Sequence, residues 1–151
     1  MRRIAHQRGV VALELPAVML IMILMLAYTL FLGRVFYSYQ VAQRAMHDVA
    51  LFMATVPLID IKSASLAADD AAFASAIAAS ELTDLDSGVV PTSVNLSCDF
   101  LSCSAGTVPG TVTAAVQISV FDDLFPGYTG LWTGDTGFSV VVISRMRYVG
   151  R

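Results

Sequence analysis

The hydrophobic and polar positions divide the chain into one long apolar run, an amphipathic stretch and several short alternating segments. Within residues 10–32 the single charged side chain is Glu14, and residues 15–32 carry no charge at all. As an α-helix, residues 10–32 would be about 34 Å long, which is enough to cross the hydrocarbon core of a bilayer. The pattern therefore predicts a transmembrane helix over residues 10–32.

An amphipathic helix is predicted to continue this span over residues 33–56. Pro57 predicts its end, because proline cannot continue a helix without losing a backbone hydrogen bond. Such an apolar stripe has to be buried against another element. Its members recur at spacings of three and four: Val35, Tyr39, Ala42, Met46, Val49, Met53 and Val56.

The alanine-rich segment that follows predicts a second helix from about Ala67 to Leu82. Alanine is the strongest helix former, and small side chains permit close packing against the first helix. Asp69 and Asp70 suit the first turn of this helix, where the helix dipole favours negative charge. As neighbours on a helix they point apart, so they do not predict a catalytic pair of carboxylates.

Three strands are predicted after this helix, over residues 89–97, 111–121 and 138–149. The first contains Pro91, so it is expected either at a sheet edge or to start after the proline, because proline has no N–H to donate. The second alternates, with Val112, Ala114, Val116, Ile118 and Val120 on one face. These segments predict an α+β fold in which a small three-stranded antiparallel sheet covers the helical stripe.

Composition supports a membrane protein and excludes several functional classes. Hydrophobic residues make up 56% of the 151 residues, charged residues make up 14%, and the mean hydropathy is +0.71. A net charge of −3 and a pI near 5.1 argue against a nucleic-acid-binding protein. We expect no nucleic-acid partner.

The arginines predict the orientation of the span. Arg2, Arg3 and Arg8 precede it, whereas Arg34 follows it. Positive charge stays in the cytoplasm, so the N-terminus is expected there and residues 57–151 are expected to form an extracytoplasmic domain. A cleaved secretory signal is the rival interpretation, but its apolar region is about 7–15 residues long, and Leu32-Gly33-Arg34 is a poor cleavage site.

Cys98 and Cys103 are the two cysteines of the chain, and four residues separate them. A disulfide between them fits an oxidising compartment, which agrees with the predicted orientation. Two free thiols are the alternative. Without further cysteines or a nearby histidine, the pair does not predict a metal site.

The remaining polar residues do not form a recognisable catalytic pattern. The glycine-rich segment 122–137 contains Asp122, Asp123 and Asp135, which predict either a calcium site or, as we prefer, a plain loop whose aromatic residues cap the sheet. No EF-hand spacing, nucleophile–base set or phosphate-binding loop is present in the sequence. We therefore expect no enzymatic activity, no cofactor and no metal.

Glu14 is the most informative residue, because an acid within an apolar span is costly and is expected to have a partner and a function. The segment Arg8-Gly9-Val10-Val11-Ala12-Leu13-Glu14-Leu15 resembles the signal of type IV prepilins. That resemblance implies cleavage after Gly9 by a membrane-embedded prepilin peptidase, with Val10 as the first mature residue. It also implies that Glu14 pairs with the N-terminal amine of an adjacent subunit during assembly. A loop glycine and a carboxylate that snorkels at the membrane edge are the structural alternative.

The whole chain resembles the TadE-like minor pilins or pseudopilins of Flp/Tad tight-adherence pilus systems. The basic leader of residues 1–9, the long helix, the alanine-rich helix, the small sheet and the ending Ile143-Ser144-Arg145-Met146-Arg147 carry this resemblance. It implies a role in pilus assembly for adhesion, biofilm formation or secretion, in the inner membrane or in the pilus itself. The implied partners are the prepilin peptidase, other pilins or pseudopilins, inner-membrane assembly proteins and the lipid bilayer. An uncleaved single-span subunit of an envelope complex and a type II secretion pseudopilin are the alternatives.

Overall fold

A computed structural model describes residues 8–85, 88–103, 107–122, 130, 134 and 137–150, with side chains from residue 14 onward. The chain divides into two compact units, Met1–Arg34 and Val35–Arg151. They are called unit 1 and unit 2 below, and each is described by itself. The secondary structure is α+β, as the sequence predicts.

Unit 1 contains the first part of helix α1, which extends over Arg8–Thr55. Almost every described side chain before residue 31 is exposed, with Ala27 as the exception. Within residues 14–55, an 18-residue window has a mean hydropathy of 2.5 and is 11% buried. A helix of this length and composition can span a membrane, and its exposure distinguishes it from the core helix of a soluble protein. Pro16 lies inside α1 and leaves one helical hydrogen bond unmade.

Unit 2 buries one side of the remaining part of α1. The predicted stripe is confirmed at most positions, but it was wrong at Tyr39, which is 39% exposed, whereas Ser38 is fully buried. A serine allows the neighbouring elements to approach the helix closely, while the phenol of a tyrosine favours contact with water. The buried residues of this part of α1 are Val35, Ser38, Ala42, Ala45, Met46, Val49, Ala50, Met53 and Ala54.

Helix α1 ends at Thr55, just before Pro57, and in the continuous described stretch up to residue 85 two helices follow it. They are α2, Leu58–Lys62, and α3, Ala64–Leu82. The predicted start of the second helix at Ala67 was wrong, so Asp69 and Asp70 lie in the second turn of α3 instead of the first. The ring of Phe73 lies 5.3 Å from that of Phe52, which places α3 beside α1. Towards the core, α3 buries Ala67, Ala74, Ala78 and Leu82.

Among the described residues the sheet has five antiparallel strands, so the prediction of three strands was wrong. They are β1, Val89–Pro91; β2, Asn95–Cys98; β3, Leu101–Ser102; β4, Thr111–Val120; and β5, Phe138–Arg147. Strand β4 is central: β5 pairs along one of its edges, β1 and β2 pair with successive parts of the other edge, and β3 extends β2.

The first predicted strand is split into β1 and β2 after Pro91. Thr92 continues the contact with β4 through its backbone N–H, which donates to the Gln117 carbonyl at 2.8 Å. The Thr92 hydroxyl also bonds Gln117, donating to its carbonyl at 2.9 Å and accepting from its N–H at 3.3 Å. The Thr92 side chain thus replaces part of the regular backbone hydrogen-bond ladder between this segment and β4.

The inner face of the sheet completes the core of unit 2. All five residues predicted on the inner face of β4 are buried, and Val142 and Ser144 of β5 are buried beside them. The segment after β5 is fixed to the end of α1. There the Val149 N–H donates to the Ala54 carbonyl at 2.9 Å, and the Tyr148 hydroxyl donates to the Val56 carbonyl at 2.8 Å. These bonds satisfy carbonyls that the end of a helix leaves without partners.

Candidate functional site

Glu14 lies on an exposed, otherwise apolar surface of α1. With Leu15, Val18, Met19, Met22 and Ile23 it lines one face of the helix. Among the residues whose side chains are described, none forms a hydrogen bond or ion pair with the Glu14 carboxylate. An ionised carboxylate placed in hydrocarbon without a partner is strongly unfavourable. If this part of α1 lies in lipid, a cation from outside the described part of the chain would stabilise the Glu14 carboxylate.

Gly9 and Val10 lie at the beginning of the same helix, and their side-chain surroundings are outside the described residues. Val10 precedes Glu14 by four residues, which is one helical turn or about 6 Å along the axis. An amine at Val10 would lie on the same side of the helix as the carboxylate. The rest of the basic leader, residues 1–7, is outside the described residues.

Two charged residues mark the limits of the apolar part of α1. Glu14 and Arg34 are separated by about 30 Å of helix, which equals the hydrocarbon thickness of a bilayer. The sequence analysis missed the exposed aromatic residues near Arg34, namely Tyr28, Phe36, Tyr37 and Tyr39. Tyrosines concentrate at the boundary between lipid and water, so these residues suit a membrane interface. These aromatic residues lie close to Arg34 in the sequence, and this closeness could have identified them as a group.

In unit 2, Cys98 and Cys103 form a disulfide with an S–S distance of 2.21 Å and a Cα–Cα distance of 4.9 Å. The bond encloses the turn between β2 and β3, where Cys98 pairs with Leu101. Asp99 and Phe100 form this turn with φ angles of +49° and +71°. Two successive positive φ angles are typical of a type I′ turn, which strongly prefers asparagine and glycine. The disulfide thus encloses a hairpin with unusual turn residues.

Asp99 anchors this hairpin to the beginning of β4. Its carboxylate accepts hydrogen bonds from the N–H groups of Gly110 and Thr111 and from the Thr111 hydroxyl. These bonds lower the pKa of Asp99, because they stabilise the ionised carboxylate. The turn leaves Phe100 86% exposed, with the Arg145 guanidinium 5.6 Å from its ring. The sequence analysis predicted the disulfide pair but missed both Asp99 and Phe100.

The acidic residues of unit 2 do not form a metal centre within the described part of the chain. There, no group of three or more His, Cys, Asp or Glu side chains is arranged to hold an ion. Asp122 is described, but Asp123 and Asp135, which the calcium hypothesis also requires, lie outside the described residues. Partial burial and the nearby charges of Asp60 and Asp69 raise the pKa of Asp70. The predicted absence of a metal stays a prediction.

Comparison of the chain with protein-family models, with curated proteins and with solved structures gives no match. A functional interpretation must therefore come from the residues themselves. Three features are available for it: the isolated carboxylate of Glu14, the order of residues 8–15, and the exposed surfaces of unit 2.

Proposed function

We propose that this chain is a minor pilin or pseudopilin that takes part in the assembly of a Tad-type pilus. The observation that carries the proposal is Glu14, an exposed carboxylate without a described partner in a helix that is otherwise apolar up to Gly33. A helix that needed only to anchor a domain would be more stable in lipid with a leucine at this position. We therefore assign the Glu14 carboxylate to a contact with another molecule.

The resemblance of residues 8–15 to a prepilin signal indicates a partner for the Glu14 carboxylate, namely an N-terminal amine. Cleavage after Gly9 gives Val10 a positively charged amine, and Glu14 then pairs with the Val10 amine of a neighbouring subunit. In each pair, two charges that would otherwise be unpaired in hydrocarbon compensate each other. This compensation favours one register between parallel helices. The proposed chemistry is non-covalent apart from the cleavage, and the prepilin peptidase performs that step.

The arginines of the leader support the proposed orientation. Three of them lie before the span, so the leader remains in the cytoplasm and unit 2 lies on the opposite side of the inner membrane. The disulfide of unit 2 agrees with this placement, because disulfides persist in oxidising compartments. The subunit stays in the membrane until the assembly machinery, with other pilins or pseudopilins, takes it up.

N-terminal sequencing of the chain extracted from membranes tests the cleavage. Coexpression with a prepilin peptidase is expected to produce a mature chain that begins at Val10. Gly9→Val should leave the precursor intact, because a branched side chain replaces the glycine at the cleaved bond. Gly33→Ala is the matched control in the same helix, since a Cβ there meets no atom within 4 Å. An intact Met1 in the wild-type chain would favour an uncleaved single-span anchor.

Substitution of Glu14 tests the assembly role. Glu14→Gln keeps the shape of the side chain but removes its charge, so we expect normal membrane insertion and at least about a tenfold loss of sheared pili, which corresponds to about 1.4 kcal/mol. Leu15→Gln is the control, because it places the same amide on the neighbouring exposed position. Pilus yields that stay normal in Glu14→Gln, or that fall equally in both variants, would contradict a specific role for the carboxylate.

A further inference from the structure

The outer face of β5 forms the first of two exposed surfaces in unit 2. This sheet surface consists of Val141, Ile143, Arg145 and Arg147, all of which are exposed, and of Phe100 beside Arg145. Opposite β5, the outer face of β4 presents small side chains, among them Thr113 and Ala115. The Arg145 guanidinium donates to the Thr113 hydroxyl at 3.3 Å, and the sheet surface therefore combines an apolar part with two positive charges.

The exposed side of the helices forms the second surface. This helix surface consists of Leu51 of α1 and of Asp69, Phe73, Ala76 and Ser80 of α3. The α3 residues follow one another at spacings of three and four and therefore share one face of the helix. Phe73 is 58% exposed although its ring contacts Phe52. Ala76 and Ser80, which follow Phe73 on the same face of α3, have small side chains, so a partner can approach this part of the helix closely.

The charges of the two surfaces are complementary. The described part of unit 2 has four basic residues against eight acidic ones, and two of the four, Arg145 and Arg147, belong to the sheet surface. On the helix surface, Asp69 adjoins Asp70, whose pKa is raised by partial burial and by the charges of Asp60 and Asp69. The helix surface thus presents negative charge one helical turn before Phe73.

The two surfaces also agree in spacing and direction. Asp69 and Phe73 are one helical turn apart, about 6 Å, and Arg145 and Ile143 are two strand residues apart, about 7 Å. Both charges lie towards the same end of unit 2: Asp69 is in the second turn of α3, which begins soon after the end of α1, and Arg145 is three residues before Tyr148, whose hydroxyl donates to the Val56 carbonyl. On each surface the apolar residue lies farther from that end than the charge does.

We propose that the sheet surface of one copy of this chain docks on the helix surface of a second copy in parallel orientation. Arg145 then faces Asp69, and Ile143 packs against Phe73. Different patches meet in this contact, so it is heterologous and continues from copy to copy instead of closing as a dimer. A second copy is the occupant because both halves of the complementary pair are present on every molecule. The parallel orientation rests on the proposed function, because copies that span one membrane in the same direction have unit 2 on the same side.

Cysteine crosslinking of the full chain in membranes tests the contact. A chain that carries both Phe73→Cys and Ile143→Cys, treated with a short bis-maleimide, is expected to form a ladder of dimers, trimers and higher species. The native cysteines are joined to each other and do not react. Phe73→Cys combined with Val90→Cys is the matched control, because Val90 is 55% exposed and Ile143 is 56% exposed, but Val90 belongs to β1 and lies opposite Ser119. The control should form no ladder.

The single variants distinguish the possible contacts. Dimers from Ile143→Cys alone would show that sheet surfaces meet each other, and dimers from Phe73→Cys alone would show the same for helix surfaces. Absence of any crosslink would mean that a different protein covers these surfaces. Each of these three results would overturn the proposal.

Charge reversal gives a second, independent test. Arg145→Asp should reduce the ladder by about fivefold or more, because like charges then face each other. Asp69→Arg in the same chain should restore the ladder, whereas simple misfolding of the Arg145→Asp variant would not be rescued. The same assay on the Gly9→Val precursor shows whether the contact requires cleavage of the leader. A ladder from this precursor would support the contact, because both surfaces lie in unit 2. N-terminal sequencing of the wild-type chain tests the prepilin assignment separately, so failure of one proposal is distinguishable from failure of the other.

Discussion

Asp99 is a single exposed residue on which the geometry of the hairpin depends. Its carboxylate accepts three hydrogen bonds from Gly110 and Thr111, and the turn that it begins contains two residues with positive φ. Non-glycine residues in such conformations cost about 1–3 kcal/mol each unless the surroundings hold them in place. Asp99→Asn keeps a residue that tolerates a positive φ angle, so the variant tests the charge that these three bonds stabilise and not the shape of the turn. We therefore expect the variant to unfold a few degrees below the wild type at pH 7.

The pH dependence follows from the direction of the Asp99 shift. Because the folded-state pKa is lowered, the stabilisation is present above the unfolded value of about 3.9 and is lost as the pH falls through the folded value. The difference in Tm between Asp99→Asn and wild type should therefore shrink below about pH 4. Thermal melts of the full chain in detergent, followed by near-UV circular dichroism, measure it. Asp84→Asn, at another exposed aspartate, is the control, and an equal effect there would contradict the explanation.

Predictions for single residues succeeded where the periodic pattern is strict. The alternation in β4 identifies all five of its buried residues, because every second side chain of a strand faces the same way. The spacing on α1 does not decide between Ser38 and Tyr39, since both positions fit a stripe of threes and fours. Close packing of neighbouring elements selects the smaller side chain, and that depends on contacts far away in sequence.

At the scale of elements, the disulfide and the β2–β3 hairpin form one unit. Cys98 and Cys103 are five positions apart, so their bond restricts a short loop of the unfolded chain. The chain-entropy model gives such a loop about 2 kcal/mol of stabilisation. Replacing both cysteines by serine should lower the free energy of unfolding by about that amount, as measured by urea denaturation of the full chain in detergent.

A reductant provides the matched control for this prediction. Treatment of the wild-type chain should reproduce the loss of stability, whereas the double serine variant should not respond. A wild-type chain whose unfolding is the same with and without reductant would mean that the bond adds nothing to the hydrogen bonds of Asp99. Exposure of Phe100 should increase little in either case, because its side chain is already 86% exposed.

The elements themselves were only partly predictable. The C-terminal end of α1 and the course of β4 follow from local signals, namely Pro57 and the alternating apolar residues. The break after Pro91 depends on how Thr92 bonds to Gln117, and β3 depends on a turn that lacks the usual Asn-Gly pair. The order of residues in the sequence is enough to identify Gly9 and Glu14 as candidate residues. The sheet surface could not be predicted in this way, because it depends on the cross-strand register of β4 and β5.

At the scale of the whole molecule, the charge is strongly separated along the chain. The leader carries three arginines and no acid, the segment up to residue 33 carries Glu14, and the rest carries eleven acids against six bases. This distribution agrees with a span whose basic end stays in the cytoplasm. Removal of residues 1–9 would also make the remaining chain more acidic, because the three arginines of that segment would be lost.

The position of the span can be tested by placing charges at two exposed parts of α1 and α2. Ile23 and Leu24 lie midway between Glu14 and Arg34, whereas Leu51 and Ile59 belong to unit 2. Two arginines at the centre of a span cost about 5–7 kcal/mol on insertion scales, so Ile23→Arg with Leu24→Arg should greatly reduce the carbonate-resistant fraction of the chain. Leu51→Arg with Ile59→Arg adds the same charge outside the span and should leave that fraction unchanged. Equal membrane retention of both double variants would contradict a span between Glu14 and Arg34.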